Sequence, residues 1–299
     1  MTTEMKDSTQ PLFTFGIIAD IQYADIDDGF NFKHTRKRYY RNSIRLLRNA
    51  LERWNTENVK PLFILQLGDI IDGFNKRYNM SDQSLNTVMK EFDSSPAEVH
   101  HVWGNHEFYN FSRDTLLRSV LNSSVDFDSG GGLPSTGDIY AYHFSPAPGY
   151  RFILLDAYDV SLLGREESSV QYHQAITLLK AHNKNEDLNH PPALTGLEKR
   201  FVKFNGGFSQ DQLDWLEGVL SSADHKLERV TIVSESSYEA ISLSTPALQI
   251  LSALLGTTMS CSPLSRAIRV WSVSWQDMTT MEGFTLITLE CTTSHWRGL

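Results

Sequence analysis

Three apolar runs in this chain each end in a short cluster of oxygen-bearing side chains, and that repeated design constrains the fold more than any other feature. Gly16-Ile17-Ile18-Ala19-Asp20-Ile21-Gln22 closes on Asp-x-Gln, and Leu65-Gln66-Leu67-Gly68-Asp69-Ile70-Ile71-Asp72 closes on Gly-Asp. Val102-Trp103-Gly104-Asn105-His106-Glu107 closes on Gly-Asn-His-Glu. Short apolar runs bounded by turn residues read as buried strands. In α/β folds, ligands collect beyond the carboxyl ends of such strands. Brought together, Asp20, Gln22, Asp69 and Asn105 offer hard oxygen donors suited to a divalent cation such as Mn²⁺. Asp69 is the carboxylate placed to bridge two ions. A metal pair about 3.5–4 Å apart clamps a phosphoryl group and activates a water.

The rest of the 299-residue chain supplies the frame for such a site. Further strand-like runs cover Leu12 to Ile18, Leu62 to Leu67, Val99 to Trp103, Tyr140 to Phe144, Phe152 to Leu155 and Val230 to Val233. Ile44, Leu47, Leu51 and Trp54 have helical spacing, as do Leu85, Val88, Met89 and Phe92. Ser209 followed by Gln212 is a capping-box signature ahead of Leu213, Leu216 and Leu220. The alternation predicts an α/β domain with buried sheets. Residues 160–205 read as a long polar excursion, and no repeat or heptad array is present. Lys+Arg 27 against Asp+Glu 36 gives a net charge of -9, which argues against nucleic acid and anionic membrane surfaces as partners. No run approaches the roughly 18 apolar residues a spanning helix needs. With Cys261 and Cys291 alone and no secretion signal, the expectation is a cytoplasmic monomer acting on a small molecule.

These motifs carry a resemblance. Asp-x-Gln, Gly-Asp and Gly-Asn-His-Glu, with FGIIADIQYADIDDGFNFKHTRKRYYRNS, LQLGDIIDGFN, VHHVWGNHEFYNFSRD, YRFILLDAYD and FNGGFSQDQLDWL, resemble the calcineurin-like metallophosphoesterase superfamily. Within it they resemble the manganese-dependent ADP-ribose/CDP-alcohol diphosphatases. The resemblance implies a four-layer αββα sandwich of two mixed β-sheets and a dinuclear centre of Mn²⁺, with Mg²⁺ or Zn²⁺ as substitutes. It implies that Asp20, Gln22 and Asp69 hold the first metal, and that Asp69 and Asn105 contribute to the second. His106 is implied as general acid or electrostatic stabiliser at the leaving oxygen. Phe30, Phe32 and Tyr109 become candidates to stack on base or ribose, and Arg36 and Arg113 to meet phosphate. The implied substrate is a small nucleotide whose diphosphate bond is hydrolysed.

The resemblance stops near Ser234. The superfamily places imidazole ligands after the strand that VTIVS would form and in a later Gly-His-x-His. Here Glu235 follows, no Gly-His-x-His occurs, and His295 is the one late histidine. Residues 235–299 hold eleven Ser, nine Thr and no Lys. Reading each new codon as the last base of one codon plus the first two of the next, Trp275 to Gly283 permits Ala-Gly-His-Asp-His-Asp-Gly-Gly. The same shift applied to Glu239 through Pro246 permits Ser-His-Leu-Pro-Val-His-Pro. The chain therefore divides into a polar tail over residues 1–10, a metallophosphoesterase domain over 11–234, and an aberrant segment over 235–299, translated out of the ancestral frame. An incomplete second sheet and weak metal binding are expected from it. The coding nucleotide sequence checks this reading. Bases after the Ser234 codon that spell the shifted motifs are expected, and bases that do not spell them would refute it.

Overall fold

The computed structural model describes residues 12–30, 34–126, 138–192, 199–235, 269–273 and 284–289, the last two by backbone alone, as are residues 125–126. In chain order the elements are β1 (Phe13–Ile18), β2 (Gly29–Phe30), β3 (Lys37–Arg38), α1 (Asn42–Thr56), β4 (Phe63–Gln66), α2 (Phe74–Arg77), α3 (Ser81–Phe92) and β5 (Glu98–His101). Then follow α4 (Asn105–Asn110), α5 (Arg113–Leu117), a 3₁₀ turn (Ser123–Asp126), β6 (Tyr142–Phe144), β7 (Tyr150–Leu154), α6 (Val170–His182), α7 (Gln210–His225), β8 (Arg229–Glu235), β9 (Arg269–Val273) and β10 (Phe284–Leu289).

The longer strands form two mixed sheets, ordered β10-β1-β4-β5 and β6-β7-β8-β9. In the first, β1, β4 and β5 are parallel and β10 runs antiparallel to β1. In the second, β7, β8 and β9 are parallel and β6 is antiparallel to β7. Side chains alternate across each strand, and this alternation assigns the layers. Phe13 and Phe15 of β1 face the second sheet, meeting Tyr150 edge-on at 5.2 Å and Phe152 at 5.3 Å between ring centroids. Phe63 of β4 stands between Phe15, Phe144 and Phe152 at 4.9–5.1 Å. The opposite face of β1 carries Gly16, where an added Cβ would lie 2.9 Å from the Trp54 ring of α1. On β7 and β8, Ile153, Val230 and Ile232 pack with Leu216, Val219 and Ala223 of α7. Helix, sheet, sheet, helix is thus the layer order, and an aromatic seam joins the sheets.

The helices follow their sequence signals. Ile44, Leu47, Ala50, Leu51 and Trp54 form the buried stripe of α1. Ser209 Oγ accepts from the Gln212 backbone N–H at 3.2 Å, so the expected cap starts α7. The excursion over residues 160–205 contains α6, whose Ala175 and Leu179 pack with Leu162 in a small satellite core.

The segment after Ser234 contributes to both sheets. β8 continues through Glu235. The segment then gives one strand to each sheet: β9 pairs with β8 from Thr231↔Arg269 to Glu235↔Val273, and β10 pairs with β1 from Phe13↔Leu289 to Ile18↔Phe284. Second-sheet pairing therefore continues past β8 through Arg269–Val273, a run rich in β-branched and apolar residues.

Phe63 is 3% exposed at the centre of the aromatic seam. Phe63→Ala is expected to lower the unfolding free energy by about 3–5 kcal/mol. Urea denaturation followed by tryptophan fluorescence measures this, and a loss below about 1 kcal/mol would show that the ring is not part of a close-packed interface.

Candidate metal centre

The three motifs lie where parallel strands end. The ladder between β1 and β4 runs on into the loops: Leu67 N–H donates to Ile18 O at 2.8 Å, Gln22 N–H to Asp69 O at 2.8 Å, and Asp72 N–H to Tyr23 O at 3.0 Å. Val102 N–H donates to Gln66 O at 2.8 Å and ties in the loop after β5. The loops after all three strands are thereby held side by side at one edge of the first sheet.

The backbone at this edge is strained. Asp20, Gln22 and Asp69 have φ of 50, 40 and 56°, in the left-handed region that side chains other than glycine rarely adopt. Such residues cost of order 1–3 kcal/mol each and collect at functional sites. Here the conformation turns each side chain back toward the others. Gln22 Nε2 donates to Asp20 Oδ1 at 3.1 Å and to Asp69 Oδ2 at 3.0 Å. The other Asp69 oxygen, Oδ1, accepts from the His106 backbone N–H at 3.0 Å. Asn105 opens α4 beside it and is 7% exposed. Its side chain hydrogen-bonds Tyr109, whose hydroxyl burial pushes up to about 12. The expected ligands Asp20, Gln22, Asp69 and Asn105 are therefore neighbours.

Glu107 holds the arrangement from behind. It is 1% exposed, and its Oε2 accepts from the Asp69 and Gly104 N–H groups at 2.8 and 2.6 Å, while Oε1 accepts from Ile70 N–H at 2.7 Å. Burial and then the Asp69 charge push its carboxyl up to about 8, against the opposing effect of those three N–H bonds. His106 is set by a similar device. Gly73 N–H donates to His106 Nδ1 at 2.9 Å, so in the neutral ring the proton sits on Nε2. That nitrogen lies 3.9 Å from Asp69 Oδ2.

Several site residues carry no motif of their own. Arg38 of β3 donates to Gln22 Oε1, and to Asp72 Oδ2 at 3.2 Å. Asp72 is 3% exposed and also accepts from Phe74 N–H at 2.9 Å. Glu235, at the end of β8, reaches the cluster from the second sheet. Burial, then the charges of Asp69 and Asp20, push its carboxyl well above the usual carboxylate range. Arg38 was masked by its neighbours in a basic run, and Glu235 by lying where an imidazole was expected.

The other expected contacts divide. Tyr109 is partly buried, with its ring centroid 5.2 Å from that of His106, so it stands at the centre. Phe30 is 52% exposed, and Phe32 lies outside the described residues. Arg113 was expected to meet phosphate. It is 2% exposed, ion-paired with Asp156, and donates to Tyr158 O at 2.6 Å and Asp138 O at 3.0 Å. Its guanidinium ties α5 to the strand-end loop after β7, where Asp156 completes a buried pair with it.

The donors fit a hard dication. Among the described residues no three His, Cys, Asp or Glu side chains could hold an ion by themselves. The amides of Gln22 and Asn105 are needed to complete a set of oxygens. The Gln22 N–H now bridges Asp20 and Asp69, a partial positive charge where a cation would draw the same oxygens together. Several buried carboxylates around one point also call for a positive counter-charge.

Comparison with known proteins agrees with this geometry. The calcineurin-like phosphoesterase family model matches residues 13–233. A manganese-dependent ADP-ribose/CDP-alcohol diphosphatase from Danio rerio is 58% identical over 226 residues, covering 75% of this chain and 70% of its own. The Homo sapiens protein of the same name is 53% identical, covering 77% and 68%. A dimetal phosphatase of known crystal structure from Danio rerio superposes with a TM-score of 0.81 at 46% identity, over 94% of each chain. With its strand-tip motifs, its layer order and these relatives in agreement, the chain belongs to the calcineurin-like phosphoesterase family, in the branch of the manganese-dependent ADP-ribose/CDP-alcohol diphosphatases.

Proposed function

We propose that the chain is a Mn²⁺-dependent phosphohydrolase that cleaves the diphosphate bond of ADP-ribose, CDP-alcohols and related nucleoside diphosphate compounds. The observation that carries this is the meeting of Asp20, Gln22, Asp69 and the Asn105 loop at one point, with Asp20, Gln22 and Asp69 in the left-handed backbone region. Water adds to one phosphorus and the bridging oxygen leaves on the other phosphate, so ADP-ribose gives AMP and ribose 5-phosphate. When bound, a pair of divalent cations neutralises phosphate oxygens and makes water a competent nucleophile at neutral pH. Asp20, Gln22, Asp69 and Asn105 would hold that pair. His106 presents the Nε2 proton that the departing oxygen needs, with Gly73 N–H fixing the other ring nitrogen as acceptor. Tyr109, against the His106 ring, restricts its rotation and offers a face for base or ribose.

A second reading is supported by the tail. The family's late imidazoles are missing, and the family model ends at residue 233. That reading is an isoform with impaired turnover that still binds nucleotide. A cyclic-nucleotide phosphodiesterase is the further alternative, separable because a cyclic ester yields one phosphate-containing product and a diphosphate two. The net charge of -9 favours a small-molecule substrate over nucleic acid or a membrane surface. Among the described residues no helix is long and apolar enough to cross a membrane. We read the protein as a cytoplasmic monomer.

Chromatography of ADP-ribose incubated with protein and Mn²⁺ tests the proposal. AMP and ribose 5-phosphate should appear, EDTA should stop the reaction, and the rate should lie more than about 100-fold below a relative with all imidazoles. Unchanged ADP-ribose, with binding seen by calorimetry, would favour the impaired isoform. On the turnover that remains, His106→Gln should lower kcat about 10²–10⁴-fold with a small change in KM. An equal loss in both constants' ratio through KM alone would move His106 from proton donor to binding residue.

A further inference from the structure

We infer that Glu235 is a ligand of the metal centre, supplying a carboxylate oxygen where this chain lacks the late imidazoles. The inference rests on the strand-tip cluster being a metal centre. Strand alternation places the residue: Val230 and Ile232 of β8 face α7, while Val233 joins the core between the sheets. Glu235, two residues beyond Val233, shares its inward face at the end of the strand. There it is 7% exposed.

Its position is tight. Glu235 Cγ lies 3.1 Å from where a Cβ on Gly68 would stand, and Oε2 lies 2.9 Å from where a Cβ on Gly104 would stand. The Gly104 point also contacts Asp69 Oδ1. The carboxylates of Glu235 and Asp69 thus converge across the glycine that precedes Asn105, with room made by the missing side chain. One neutral group meets Glu235, the Tyr158 hydroxyl, which donates to Oε2 at 3.1 Å. No ion pair to Glu235 exists among the described residues. A buried carboxylate facing another carboxylate is relieved by a shared proton or by a shared cation. A dication held by Asp69 supplies the latter. An oxygen in place of an imidazole nitrogen makes the donor set harder, so the centre should favour Mn²⁺ and Mg²⁺ over Zn²⁺ relative to family members with histidine there.

Titration calorimetry of the full chain with MnCl₂ and with ZnCl₂, and Mn²⁺ electron paramagnetic resonance, test this without turnover. Glu235→Gln should weaken Mn²⁺ at least about 10-fold and shift the resonance signal of the bound ion. Glu235→His should restore affinity and turn preference toward Zn²⁺. Tyr158→Phe should stay within about 3-fold of the native chain, far less than losing a ligand costs. Native-like Mn²⁺ affinity in Glu235→Gln overturns the inference, as does a Tyr158→Phe loss equal to that of Glu235→Gln. If Glu235→Gln does not fold by circular dichroism, Glu235→His carries the test, and unchanged metal preference there overturns it. Asp69→Asn separates the two claims: if it too leaves Mn²⁺ binding untouched, the metal-centre reading fails, whereas silence of the Glu235 variants alone defeats only this inference.

Discussion

One buried carboxylate, Glu107, accepts three backbone N–H groups from two loops, and the rest of the centre depends on that knot. Asp69 and Ile70 belong to the loop after β4, and Gly104 to the loop after β5. Without a common acceptor those amides would be orphaned at a sheet edge where no further strand can pair with them. The knot fixes the relative height of Asp69 and Asn105. It also holds Asp69 in its left-handed conformation, which an unrestrained loop would leave. The second fixed point is the strand ladder from β1, which carries Asp20 and Gln22 to the same level.

The price of this geometry is a concentration of negative charge. Burial first, and then the charge of Asp69, pushes the Glu107 and Glu235 carboxyls upward, with Asp20 and Glu107 adding to the effect on Glu235. In the protein interior such repulsion is poorly screened. The fold tolerates it because the aromatic seam between the sheets and the two helical layers supply stability elsewhere. Stability and chemistry are thus assigned to different parts: phenylalanines in the middle of the sandwich, oxygens at its rim.

Much of this was legible in the chain. The three strand-tip motifs pointed to their own convergence, because buried parallel strands put their carboxyl ends, and the oxygen-bearing residues after them, at one end of the sheet. The stripes of α1 and α3 and the Ser209 cap were equally plain, being local. What escaped was non-local. Arg113 read as a candidate for phosphate, and its buried partner Asp156 lies 43 residues later. Glu107 read as the tail of a motif, since nothing in sequence shows that its carboxylate faces backbone. Glu235 was judged by what it replaced, and its place beside Gly68 and Gly104 follows only once β8 is registered on β7. The strands after it were hidden by the loss of a clean period.

The pairing of β10 with β1 has a consequence for biogenesis. Phe13–Ile18 leaves the ribosome long before its antiparallel neighbour Phe284–Leu289. During synthesis the outer edge of β1 remains uncovered while β4 and β5 assemble on its other side. Contacts so remote in sequence close slowly. A nascent chain of this protein therefore carries an open, apolar β-edge until Phe284–Leu289 has been made, the kind of surface that holdase chaperones shield and that, left bare, recruits a like edge from a neighbouring polysome.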